Sequence, residues 1–299
     1  MRDLLVIIIS VLYIASLNLQ ANAINTIPPI GGKWKLVLNE EFNEFNPKLW
    51  SKGDSWKDPI PPRNAINFFN DENLEFLDGK ILLNIKKDEL VYLKKDKSKA
   101  KYDYSTGAIN SFGKFKFKYG YIEASIKAPS SEGLWSAFWL MPDRRFQDSD
   151  KVQKGIRSTF IESKNDKYLS GRGMEIDIME QLSEWDHHKF SYALHWDGYK
   201  EAMQSFEGRY TIKHKRSDFV RFGLYWAPKQ LIWFANGEKV AEYRSDRIAD
   251  VPMYIILNNF VGGWAKQLKE YSGLPDAMVV DYLRVWQRTN AKPPKASTN

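Results

Sequence analysis

The 299-residue chain contains no cysteine. No disulfide can frame its fold, and no lipid-bearing N-terminal cysteine can tether it. A comfortable membrane span is missing too, because the most apolar run, Leu4 to Ile14, is too short to cross a bilayer. No His/Asp/Glu cluster stands at metal-ligand spacing, and no basic run is interleaved with a nucleic-acid motif, so nucleic acid is set aside as a partner. Internal repeats and clear amphipathic helices are absent as well. What remains is a chain long enough to bury a real core within one large all-β domain.

Aromatic residues are abundant, with 11 Trp and 15 Tyr. That suits large packed sheets, and it equally suits a surface on which rings stack. The formal net charge of +7 fits an acidic polymer or an anionic surface as well as plain solubility. Arg2, the apolar run and the small-x-small triplet Ala21–Asn22–Ala23 read as a signal peptide over residues 1–23. A secreted or periplasmic protein is the expectation, with no membrane contact once the leader is removed. Pro28, Pro29, Gly31 and Gly32 make residues 24–33 a linker. One domain is expected over 34–288, and residues 289–299 read as a disordered tail.

Short strands fill the domain. Trp34 to Leu38 opens it, and Lys80 to Lys87 alternates Ile81, Leu83 and Ile85 after the turn signal Asp78–Gly79. A long strand region is expected over Lys114 to Lys127, with a phase flip at Gly120. Lys94 to Lys101 reads as a solvated loop. Lys189 to Trp196 places Phe190, Tyr192, Leu194 and Trp196 on one face and Ser191, Ala193 and His195 on the other. Gln230 to Tyr243 is a hairpin about Asn236–Gly237. Strands over Phe219 to Trp226, Met253 to Phe260 and Met278 to Trp286 complete a two-sheet sandwich.

The rest of the chain is organised around Glu175–Ile176–Asp177–Ile178–Met179–Glu180. A strand alternates faces, so Glu175 and Asp177 share one side while Glu180 has the wrong parity. In a regular strand Glu180 would enter the core, where an unpaired carboxylate is costly. One extra residue near Ile178–Met179, a β-bulge, restores the parity and sets all three acids on one face. Two carboxyl groups about 5 Å apart are what a retaining glycosidase uses, one as nucleophile and one as acid/base. The residues alone leave open which glutamate takes which role.

The hexapeptide resembles the signature of glycoside hydrolase family 16 in its bulged form. Trp34 to Phe42, Gly133 to Pro142, Val261–Gly262–Gly263 and Asp281 to Trp286 are similar to further landmarks of that family, in the same order. The resemblance implies a concanavalin-like β-jelly roll of two antiparallel sheets with an open substrate groove. It implies Glu175 as nucleophile and Glu180 as acid/base, with Asp177 tuning how protons are shared among coupled carboxylates. It also implies a groove role for His195. The single tryptophan ring faces of Trp135, Trp139 and Trp264 are natural platforms for sugar rings, with Trp139 as readily a core residue. Arg63, in a Pro-rich loop, is a further groove candidate. Family members often hold a structural calcium where Glu41 and Asp281 stand; the alternative is two ordinary surface carboxylates. No cofactor is required for the reaction. A monomer acting on a polysaccharide follows, a β-1,3- or mixed β-1,3-1,4-glucan by the similarity of Leu257 to Gly263. A polar stretch over 143–172 reads as an insertion, and its Arg144, Arg145, Arg157 and Arg172 would suit the sulfate groups of an algal galactan. A glycan-binding module without catalysis and a transglycosylase are the other classes in play.

Overall fold

A computed structural model describes residues 27–53, 65–93, 97–142, 175–196, 203–213, 215, 217–248 and 250–289. The expected position of Arg63 and the whole 143–172 insertion lie outside these residues, as do the leader and the last ten positions. The strands are β1 (Trp34–Glu40), β2 (Ser51–Lys52), β3 (Asn67–Phe69), β4 (Leu74–Leu77), β5 (Lys80–Leu93), β6 (Lys99–Thr106), β7 (Ala108–Asn110), β8 (Gly120–Lys127) and β9 (Leu134–Pro142). They continue with β10 (Glu175–Leu182), β11 (Lys189–Trp196), β12 (Gln204–Thr211), β13 (Val220–Ala227), β14 (Gln230–Ala235), β15 (Glu238–Arg244), β16 (Met253–Val261) and β17 (Asp276–Arg288).

Two sheets form. One runs β15-β14-β13-β8-β17-β5-β6-β3, with β1 and β4 added at its side; the other runs β12-β11-β10-β9-β16-β7-β2. Every pairing is antiparallel except β3 with β6, which is parallel and short. Alternation drives the assembly. Ile81, Leu83, Ile122, Ala124, Ile126, Phe222 and Leu224 from the first sheet meet Phe138, Leu140, Ile176, Phe190, Leu194, Ile255 and Leu257 from the second, all buried in one cluster. Each such leucine, isoleucine or phenylalanine contributes about 1.5–3 kcal/mol by leaving water.

The predicted hairpins form at Asp78–Gly79 and Asn236–Gly237, where all four residues have positive φ, the twist that suits a two-residue hairpin turn. Two expectations need correction. Residues 114–119 are not strand: Phe117 makes only an isolated bridge to Met253, and β8 begins at Gly120. The cause is local. Tyr119 and Gly120 both have positive φ, and a Cβ on Gly120 would lie 2.2 Å from the carbonyl oxygen of Trp286. The chain therefore turns there before it can pair. The supposed loop over Lys94–Lys101 is instead partly β6, because Lys99 and Lys101 pair with Leu93 and Val91 of a β5 that runs well past Lys87.

Candidate active site

The bulge expected in the acidic stretch is where the pairing slips. Against β11 the register shifts between Asp177 and Glu180, and against β9 it shifts between Asp177 and Met179. Glu175, Asp177 and Glu180 therefore lie opposite His195, Ala193 and Ser191, which are successive residues of a single face of β11. All three carboxylates point away from the core cluster that holds Ile176, Ile178 and Met179, yet each is buried, at 6%, 3% and 8% exposed. They sit below the rim of the face, where water is scarce and charge interactions are stronger than at an open surface.

Their partners come from different elements. His195 Nε2 lies 3.3 Å from Asp177 Oδ2, and both groups are almost fully buried. His195 Nδ1 has no hydrogen-bond partner among the described residues. The Trp135 indole N–H donates to Glu180 Oε1 at 2.8 Å. One oxygen of Glu180 is thus fixed by the protein, which orients the other. The backbone carbonyl of Asp177 accepts from the Trp233 indole at 2.9 Å. Trp233 belongs to β14 of the opposite sheet, so this bond crosses the core to hold the bulge.

Neighbouring strands extend the surface. In register with Asp177 stand Trp139 on β9 and, beyond it, Ile256 on β16; in register with Glu180 stand Ala137 and then Asn258. Trp139, the aromatic left open between core and groove, is half-buried on this face, and its indole donates to Asn258 Oδ1 at 2.9 Å. Trp135 is buried and stacks on Trp264, with ring centroids 5.4 Å apart and planes 5° from parallel. Trp264 is 46% exposed, so it offers an open ring face at the edge of the site. On the other flank, a cavity of about 260 Å³ is lined by Glu180, Trp185, Ser191, Glu207, Arg209 and Trp264 among others. Sequence reasoning had not singled out Asn258, Trp185, Glu207 or Arg209. Alternation alone sets Glu207 and Arg209 on one face of β12, but nothing local says that β12 lies beside β11.

No metal-ligand cluster was legible along the chain, yet folding assembles two groups of three. Glu175, Asp177 and His195 bring ligand atoms within 4.8 Å of one another, and so do Asp186, His187 and His188 in the β10–β11 turn. The Glu41 and Asp281 pair is different. Glu41 Oε1 meets Arg284 Nη2 at 2.6 Å, and Asp281 lies 4.0 Å from Lys80 Nζ. Arg284 is fully buried, bound also to Asn39 Oδ1 and laid over the Tyr282 ring. Two protein cations already supply the positive charge that a calcium ion would bring, so the donor set as it stands does not fit one. Burial raises the Asp281 pKa above its ordinary value; Lys80 pulls it down and Glu41 pushes it up.

The family profile described as beta-porphyranase A-D, GH16 domain, matches residues 34–288. A beta-glucanase of Rhodothermus marinus is 26% identical over 199 residues, 62% of this chain and 63% of that one. A keratan-sulfate endo-1,4-beta-galactosidase of Sphingobacterium multivorum is 25% identical over 194 residues, 62% of this chain and 40% of that one. This chain therefore spans less than two thirds of the length of these relatives. Among solved structures, the catalytic domain of an endo-1,3-beta-glucanase (laminarinase) from Thermotoga petrophila RKU-1 superposes with a TM-score of 0.70 at 25% identity, covering 87% of this chain and all of that one. The two-sheet sandwich is accordingly a jelly roll.

Proposed function

Because the chain belongs to glycoside hydrolase family 16, we propose that it is an exported, retaining endo-hydrolase of a sulfated algal galactan of the porphyran type. One observation carries the reaction class. Glu175, Asp177 and Glu180 share a buried outer face, opposite His195, Ala193 and Ser191 in turn.

In this reading Glu175 attacks the anomeric carbon while Glu180 gives its proton to the departing glycosidic oxygen, leaving a glycosyl–enzyme ester. Glu180, now ionised, takes a proton from water, which displaces the sugar from Glu175 with net retention. Asp177 stands between the two along the strand, with its Oδ2 3.3 Å from His195 Nε2. Trp135 holds one oxygen of Glu180, so that the other faces the bond to be cut. Trp264 and Trp139 provide the apolar surfaces on which sugar rings rest. A binding module that never cleaves has no use for this pair of glutamates. Export is supported by the leader pattern of residues 1–23.

Three features support the galactan. The profile that spans the whole domain is that of the porphyranases, a relative is named as an endo-1,4-beta-galactosidase of keratan sulfate, and the net charge of +7 suits an anionic chain. A second reading, a β-1,3- or mixed-linkage β-glucan, is favoured by the beta-glucanase relative and by the Leu257 to Gly263 segment. The test is product release from porphyran, agarose, laminarin and lichenan, with the anomer of the first product followed by NMR. Oligosaccharides from porphyran with a β-anomer formed first are expected. Cleavage of laminarin or lichenan alone would hand the substrate to the glucan reading, and a first-formed α-anomer would sink retention.

A further inference from the structure

The cavity beside Glu180 is lined by a cation that the reaction does not use, Arg209. Arg209 lies on the same face of β12 as Glu207, directly opposite Ser191. Ser191 in turn is directly opposite Glu180. Two strand spacings, about 9–10 Å, thus separate Arg209 from the acid/base along one cross-strand row. Lys189 pairs with Thr211, so it stands on the same face as Ser191 and diagonal to Arg209. Arg209 therefore brings positive charge into a cavity whose other charged lining residues, Glu180 and Glu207, are acidic, and Lys189 stands just outside that lining.

The Arg209 guanidinium is held in place. Its Cζ sits 4.2 Å from the centroid of the Trp185 ring. Trp185 packs against the cluster of Ala65, Trp135, Leu182, Phe260 and Ala265, so the ring is anchored. Stacking uses one flat face of the guanidinium and leaves its in-plane N–H donors directed outward. No carboxylate ion-pairs with Arg209 among the described residues, although Glu207 is two positions away on the same face. Gly208 allows this part of β12 to lie close over Tyr192, because a Cβ there would fall 2.3 Å from the Tyr192 hydroxyl. A planar, preoriented donor fork facing a solvent-open cavity next to the cleaved bond is suited to a tetrahedral oxyanion more than to a neutral hydroxyl.

The geometry points to a sulfate-reading subsite: Arg209, fixed by Trp185 and supported by Lys189, binds a sulfate ester on a sugar adjoining the scissile bond. Glu207, two residues along the same face of β12 and lining the same cavity, accepts hydroxyls of that sugar and repels a sulfate placed on its own side. The inference rests on the galactan reading and assigns the recognition of charge to residues of β11 and β12.

The test measures kcat/KM on a sulfated galactan and on the same polymer after chemical desulfation, for wild type, R209Q and R209K. Circular dichroism and thermal unfolding of each variant show whether it is folded. A charge-assisted hydrogen bond contributes about 1.5–3 kcal/mol, roughly 10- to 100-fold. R209Q should collapse the sulfated-to-desulfated preference by that factor and flatten its dependence on salt. R209K keeps the charge without the fork and should recover part of the preference. Equal losses on both polymers in a folded R209Q would reduce Arg209 to a structural role and overturn the inference. An unchanged preference would also overturn it, while leaving the galactan reading intact. If wild type cuts laminarin but neither galactan, both fall together.

Discussion

At the scale of single residues, the site is a set of carboxylates distinguished by their neighbours. Glu175→Gln is nearly isosteric and removes the proposed nucleophile. Turnover should fall by at least the 10²–10⁴-fold typical of positioned catalytic groups, with the circular dichroism spectrum unchanged. Activity within tenfold of wild type would exclude the role. Glu180→Ala should stop cleavage of polysaccharide yet allow the first step on an aryl glycoside with a good leaving group, and azide should then speed the second step. Azide rescue of Glu175→Ala in its place would exchange the two assignments. Asp281 illustrates a different cost. Its carboxyl is pushed up chiefly by burial, so between the ordinary Asp value and the raised one the folded state holds more proton than the unfolded. Stability is then lost as pH rises through that window, and the loss persists above it. Asp281→Asn should unfold at a higher temperature than wild type at neutral pH, with the gap closing near pH 3. If calcium raises the unfolding temperature of wild type but not of Asp281→Asn, the carboxylates hold a cation after all.

At the scale of elements, β10 depends on its bulge, and the bulge depends on the opposite sheet. Trp233 of β14 reaches across the core to the Asp177 carbonyl. Trp233→Phe keeps most of the packing and removes that donor. The loss of one hydrogen bond to a buried carbonyl costs about 0.5–1.5 kcal/mol, or roughly 2–4 °C of unfolding temperature per kcal/mol for a domain of this size. Misplacement of the carboxylates should lower kcat as well, by up to about 10²-fold. Activity that survives while stability drops would mean that the bulge holds its shape without the indole. On the other flank, Trp135 joins two tasks: it orients Glu180 through its N–H and carries Trp264 on its ring.

For the whole molecule, charge and architecture act together. The sandwich places its aromatic and acidic surface on the outer face of the seven-stranded sheet, and the chain carries a formal +7. Such a protein draws an anionic polymer from a distance, and salt weakens that attraction as the screening length shrinks from about 10 Å at 0.1 M to about 3 Å at 1 M. Hydrolysis of a sulfated galactan at low substrate should therefore slow steadily with added salt. Any action on neutral laminarin should stay nearly level. A flat salt profile on the sulfated polymer would separate the net charge from substrate capture.

Much of this was legible in the chain because alternation and turn chemistry are local. The parity break between Asp177 and Glu180 requires a bulge, the Asn236–Gly237 pair selects its hairpin, and alternation with Ser191 and Ala193 gives His195 its face; each follows from a few neighbouring residues. The pattern of period two tells which face a side chain takes, but not which strand lies alongside. Only the tertiary structure set β12 next to β11, so that Arg209 met Trp185 and the cavity acquired a positive charge. Only it brought Trp233 through the core to Asp177, 56 residues away, and put side-chain atoms of Glu175, Asp177 and His195 within 4.8 Å of one another. It also turned a supposed calcium pair toward Arg284 and Lys80. Strand order, inter-sheet hydrogen bonds and ion pairing all depend on residues far apart in sequence, whose encounter is decided by the shared burial of two whole sheets and by no segment alone.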